Sequence, residues 1–146
     1  MIDYGAITAA IKTLLVDNLG DDYTITRNEP RNVDPNRPLE KPNGLINITR
    51  GPMSMVAHTT GARPWLATIQ PIIEIQVSSM LSGEDAEDKL QDAQVDVMTI
   101  IGANLKLGNT VEMTNNFGFN YQYKDDDQIY FHSVQITLTC QSRDGV

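Results

Sequence analysis

This chain has one cysteine, two histidines, few cations and no long apolar run, and each scarcity excludes something. With Cys140 alone there is no internal disulfide framework, and a reducing compartment is expected. No apolar stretch approaches the ~20 residues of a bilayer span. Met1-Ile2-Asp3-Tyr4 lacks the basic and apolar segments of a secretory leader, so none is expected. Eleven Lys and Arg stand against 19 Asp and Glu, giving a net charge of −8 and a pI near 4.5. Such a surface repels phosphate and is unsuited to gripping nucleic acid by counterion release, although it suits a wall past which DNA slides. Neither His58 nor His132 has a ligand-type partner at i+2 or i+4, so one structural and one exposed histidine are expected, not a metal pair. Glycine-rich phosphate loops, Gly-x-Ser-x-Gly, Cys-x-x-Cys and His-Glu-x-x-His are absent, so no cofactor or enzymatic activity is expected. Asn47-Ile48-Thr49 matches a glycosylation sequon, but it falls inside a predicted strand.

What is present describes an ordinary folded chain: 40% hydrophobic residues in 146 and a mean hydropathy of −0.28, read as one domain over 1–146. Its organising stretch runs from Val111 to Gln141. Val111, Met113, Phe117, Phe119, Tyr121 and Tyr123 share one parity, with Glu112, Thr114, Asn116, Asn120 and Gln122 on the other. In the second run His132, Val134, Ile136, Leu138 and Cys140 alternate with Ser133, Gln135, Thr137, Thr139 and Gln141. Period-two alternation predicts strands with one buried and one wet face, here an antiparallel hairpin around Lys124-Asp125-Asp126-Asp127-Gln128.

Upstream, Asp3 caps a helix over Tyr4–Leu19 whose stripe is Ile7, Ala10, Ile11, Leu14 and Leu15, with Gly20 as its stop. A second helix, Glu84 to Asn104, follows Ser82 and Asp85 and buries Ala86, Leu90, Ala93, Val97, Ile100, Ile101 and Asn104, with Gly108 ending it. Strands are predicted at Tyr23–Arg27, Gly44–Thr49 and Ile69–Ser78, the last placed at an edge or bulge by Pro71. Residues 28–43, with prolines at 30, 35, 38 and 42, read as an irregular loop. Arg50 to Thr68 reads as an extended hairpin arm, with Gly51-Pro52 marking a register break, and Ser142 to Val146 as a frayed tail. The predicted class is α+β: a mainly antiparallel sheet of four to five strands with two helices on one face, in the order α-β-β-β-α-β-β.

Two groups of residues stand out as candidates. Met53, Met55, Val56 and Trp65 are apolar groups on the predicted arm, which suits an interface with a protein partner unless the arm folds back onto the sheet. Asp125, Asp126 and Asp127 are the densest acidic cluster, readable as a solvated turn, as part of a negative field, or as metal-binding carboxylates of a small enzyme. Consecutive side chains splay apart at a turn, which disfavours the metal. Cys140, deep in an alternating strand, reads as a small buried side chain.

Four features together resemble the tail terminator proteins of long-tailed, lambda-like bacteriophages. They are the opening amphipathic helix, Pro42-Asn43-Gly44-Leu45-Ile46-Asn47-Ile48, the acidic helix from Glu84 to Asn104, and Tyr121-x-x-Lys124-Asp125-Asp126-Asp127 before a terminal strand. The resemblance implies a small α/β subunit of a homo-hexameric ring that caps the tail tube, stops its polymerisation and offers a surface to the head. Its implied partners are copies of itself, the tube protein and a head-proximal connector, with DNA passing through the lumen. It also implies a place in the virion tail or neck, and in the host cytoplasm during assembly. The related head–tail completion ring proteins share the implied fold. Residues 28–43 and 50–68 are longer than that family's pattern. Within such a ring, Lys124 to Asp127 are expected to face the channel or the adjoining ring.

Overall fold

The computed structural model describes residues 2–28, 44–57, 65–126 and 129–144, save the side chains of Trp65, Asp125, Asp126 and Asp144. Helix α1 spans Tyr4–Leu19, and Asp3 caps it by accepting from the Ala6 N–H at 3.0 Å. Helix α2 spans Gly83–Gly102, with the Ser82 hydroxyl accepting from Asp85 N–H at 3.0 Å. Both caps satisfy amides that a helix start leaves unpaired. The α1 stripe is deeper at Tyr4, Ile7, Thr8, Ile11 and Leu15 than predicted, while Ala10 and Leu14 are half-buried. Helix α2 ends two residues before Asn104, and Gly108 instead supplies a positive φ in the following turns.

Among the described residues the architecture is α+β, with two helices and a mixed seven-stranded sheet. Its strands are β1 (Tyr23–Arg27), β2 (Gly44–Thr49), β3 (Met53–Ala57), β4 (Trp65–Ile69), β5 (Ile72–Ser79), β6 (Met113–Asp126) and β7 (Ile129–Asp144). The predicted count of four to five is exceeded because two long strands are each broken once. β2 pairs with β5 and β3 with β4, but the register shifts by one residue between Thr49↔Ile72 and Met53↔Ile69. That shift falls at Gly51-Pro52, where the break was expected. Between β4 and β5 the ladder onto β7 keeps one register, Ile69↔Cys140 and Ile72↔Thr137. Pro71 therefore interrupts a central strand rather than marking an edge. Its carbonyl still accepts from the Leu138 N–H at 3.0 Å. Among the described residues the one parallel pair is β1 with β2.

Across its width the sheet is five strands: β1, then β2 with β3, then β5 with β4, then β7, then β6. Helix α1 lies against β1 and β2, and α2 against β5 and β7. The core fills the space between, and Ile73, Ile75, Leu90, Val97, Ile101, Val134, Ile136 and Leu138 are all buried there as expected. The opposite face carries a row of polar partners across the strands, Thr26, Asn47, Glu74, Gln135 and Asn120. Asn47, the sequon residue, is buried in that row and accepts from the Thr26 hydroxyl at 3.0 Å. The predicted tail is partly strand: Ser142, Arg143 and Asp144 pair with Ala67, Leu66 and Trp65.

Candidate interaction surface

The arm is a hairpin, but its two strands differ in role. β4 is laddered onto β7, and Ala67 and Ile69 are fully buried, so this half belongs to the core. β3 is an edge strand with all five residues exposed. Met53 and Met55 pair with Ile69 and Ala67, so they continue the core face outward past the end of its cover. Val56, 61% exposed, lies on the other face. Trp65 pairs through its backbone with Ala57 and Asp144. The hinge is held by Tyr4, whose hydroxyl accepts from the Gly51 N–H at 2.9 Å and donates to the Gly51 carbonyl at 3.1 Å. Arg50 lies over the Tyr4 ring, 5.3 Å from its centre. His58 lies outside the described residues.

A second apolar surface was read in the sequence as core and is not. The parity of β6 is correct, since Phe117, Phe119, Tyr121 and Tyr123 pair with Leu138, Ile136, Val134 and His132 on the helix side. Yet Phe119 is 41% exposed, Tyr121 44% and Tyr123 59%. The reason is dimensional. Strands repeat every ~4.8 Å and a helix is ~10 Å across, so two helices roof four strands, and β6 is the fifth. The Tyr121 hydroxyl donates to Gln94 Oε1 of α2 at 2.9 Å, and Tyr123 meets His132 edge-on at 4.6 Å. A bulge at Asn115 reverses the parity beyond it, so Thr114 turns inward and Met113 is exposed.

The charged turn is shorter than predicted. β6 and β7 stay paired as far as Asp126↔Ile129, so Lys124, Asp125 and Asp126 belong to the strand. Lys124 is exposed, and Asp127 lies outside the described residues. No group of three His, Cys, Asp or Glu side chains placed to hold a metal occurs among the described residues. His132 is buried and so is Cys140, whose thiol lies 3.4 Å from the Thr114 hydroxyl. Burial pushes the Cys140 thiol above its ordinary value, which disfavours the thiolate a nucleophile needs. A cleft of about 350 Å³ is lined by Tyr23, Lys89, Asp92, Val95 and Asp96. Tyr23 donates to Asp96 Oδ2 at 3.1 Å, and Lys89 donates to the Ser78 carbonyl at 3.2 Å while facing Asp85 at 3.6 Å. Burial, then the Asp96 carboxylate, holds the Tyr23 phenol protonated well above its usual range.

No protein-family model matches the sequence, and no curated protein does. Among solved structures, the chain is similar to one from the virion of a native gene transfer agent particle. The identity is 9%, the TM-score is 0.37, and the alignment covers 96% of this chain and 100% of that one. A likeness at that score fixes neither fold nor function.

Proposed function

We propose that this chain is a structural subunit of a phage particle, a tail terminator that forms a ring at the head–tail junction. The observation that carries this reading is the pair of uncovered apolar surfaces, on β3 and on β6, flanking one well-filled core. A protein that works alone rarely leaves such groups bare on two strands of one sheet; a subunit that is roofed by neighbours does. The sequence resemblance supplies the identity of the assembly, and the net charge of −8 suits a channel for DNA. On this reading the protein is no enzyme, and Met53, Met55, Val56 and Trp65 meet a neighbouring subunit or the tube.

The test is mass in solution and negative-stain imaging, with and without purified tail tubes. Rings, or caps on tube ends, are expected. Met53→Ser with Met55→Ser should weaken assembly while changing monomer stability by no more than about 0.5 kcal/mol, as exposed positions do. A chain that stays monomeric and leaves tubes bare overturns the reading.

A further inference from the structure

From Gly118 to Lys124 every residue of β6 is exposed, so this stretch is open on both faces. Among the described residues it pairs with β7 alone, which leaves the hydrogen-bonding groups of its outer side without a strand. Open edges are ordinarily guarded by charge, proline or a bulge. Here the bulge at Asn115 guards one end and Lys124 the other. The run between them, Asn116-Phe117-Gly118-Phe119-Asn120-Tyr121-Gln122-Tyr123, holds neither a charge nor a proline. An edge left bare in this way is a template for another strand.

The order of these residues singles out the partner. About Asn120 the helix-side residues read alike in both directions: Phe119 mirrors Tyr121, and Phe117 mirrors Tyr123. Asn120 is also the midpoint of the regular run from Asn116 to Lys124. A strand that reads alike both ways is complementary to an antiparallel copy of itself, as a two-fold contact requires. We infer that β6 of a second copy of this chain pairs antiparallel with β6, with the two-fold axis at Asn120. All four aromatics then stand directly opposite aromatics on the helix side, a favoured cross-strand pairing. Lys124 meets Asn116, and no like charges face each other along the run. Moving the axis to Tyr121 sets Phe117 against Asp125, and moving it to Phe119 sets Tyr123 against the bulge. The two copies of α2 stand four strand spacings apart, ~19 Å, and the eight rings occupy the ~9 Å between them. The strip itself is narrow, ~30 Å by ~10 Å, less than half the ~800 Å² per partner of a standard complex. Its ladder supplies about nine main-chain hydrogen bonds, as many as such a complex makes. The pair should therefore be reversible and form as concentration rises. It closes at two copies, so it uses up both edges and does not depend on the ring proposed above.

Asn120→Cys tests the axis. Directly opposed antiparallel residues have Cα atoms ~4.5–5.5 Å apart, within disulfide reach. Gln122→Cys is the control: it is also exposed and on the same face, but Gly118 would stand opposite it, leaving the two Gln122 positions ~14 Å apart. Cys140 is buried and out of reach. Under mild oxidation Asn120→Cys should form its symmetric disulfide at least about tenfold faster than Gln122→Cys. Asn120→Lys sets like charges across the axis and should weaken dimerisation of the unmodified chain, read by sedimentation, at least about fivefold. Thermal melts at low concentration should match the parent for all three. Equal rates for the two cysteine variants would overturn the inference, as would a chain that is monomeric at every concentration. Dimers that Asn120→Lys leaves intact would place the contact elsewhere and overturn it too. Rings or tube caps whose Asn120→Cys thiols stay free would overturn it while leaving the ring reading intact. Two-fold dimers that never give rings or caps would sustain it and remove that reading.

Discussion

Leu138 lies in the middle of β7, fully buried, with Phe117 opposite it and its N–H given to Pro71. Truncation to Ala there removes core contacts on a strand flanked by others, leaving little room to collapse. Leu138→Ala should cost about 2–5 kcal/mol in urea unfolding; a loss under about 0.5 kcal/mol would mean the strand presents the other face. Cys140, Tyr4 and Tyr23 make a separate prediction about alkali. Burial is the largest cause of the raised value in all three, opposed at Cys140 by Thr114 and at Tyr4 by the Gly51 backbone, and reinforced at Tyr23 by Asp96. Each therefore holds its proton more tightly folded than unfolded. Their contribution is complete below the ordinary thiol and phenol values of 9.0 and 10.0 and is lost as pH rises through the folded ones. Stability should be flat approaching pH 9 and decline above it. Tyr23→Phe should cost about 1 kcal/mol at neutral pH through loss of the Asp96 bond, and should make the alkaline decline shallower.

At the scale of elements, the kink between β2 and β3 is where sequence chemistry and geometry meet most closely. A Cβ on Gly51 would stand 1.9 Å from the Gln70 carbonyl oxygen, a backbone atom that cannot swing aside. Gly51→Ala should therefore cost about 1–3 kcal/mol by overpacking, measured by chemical unfolding. A neutral result would show that the hinge relaxes. This break, both helix caps and the facing of β2, β5 and β7 were legible because each depends on a few neighbouring residues: Gly51-Pro52, Asp3, Ser82, or a run alternating with period two. What was hidden depends on distant partners. Ser142 to Asp144 become strand only because Trp65 to Ala67, over 70 positions earlier, pair with them. Pro71 fits a central strand because the chain kinks there without losing register on β7. The exposure of Met53, Met55 and Val56 was readable from the punctuation of their hairpin. Phe119, Tyr121 and Tyr123 were assigned to the core by their correct parity. Their exposure follows from setting two helices against five strands, a relation no local window contains.

At the scale of the whole molecule, acidity is the property that bears on DNA. A net charge of −8 on 146 residues gives no purchase to phosphate, and at physiological salt its repulsion reaches only about 8 Å. In a ring, carboxylates act on passing DNA only where they line the channel. The densest run in the sequence is Asp125, Asp126 and Asp127, and the first two lie where β6 ends its pairing with β7. On the proposed reading this end faces the lumen or the adjoining ring, and Lys124 pairs across a subunit boundary. Replacing all three aspartates by lysine changes the local charge by six per subunit, since each substitution exchanges −1 for +1. A basic collar would hold phosphates by releasing their counterions, a grip that weakens steeply with salt. The triple variant should assemble onto tubes yet eject DNA more slowly, with the delay shrinking as ionic strength rises, or it should fail to stack on its neighbour. Ejection timed from purified virions at two salt concentrations measures this directly. Normal, salt-independent ejection would place the hairpin end on the outer wall of the ring.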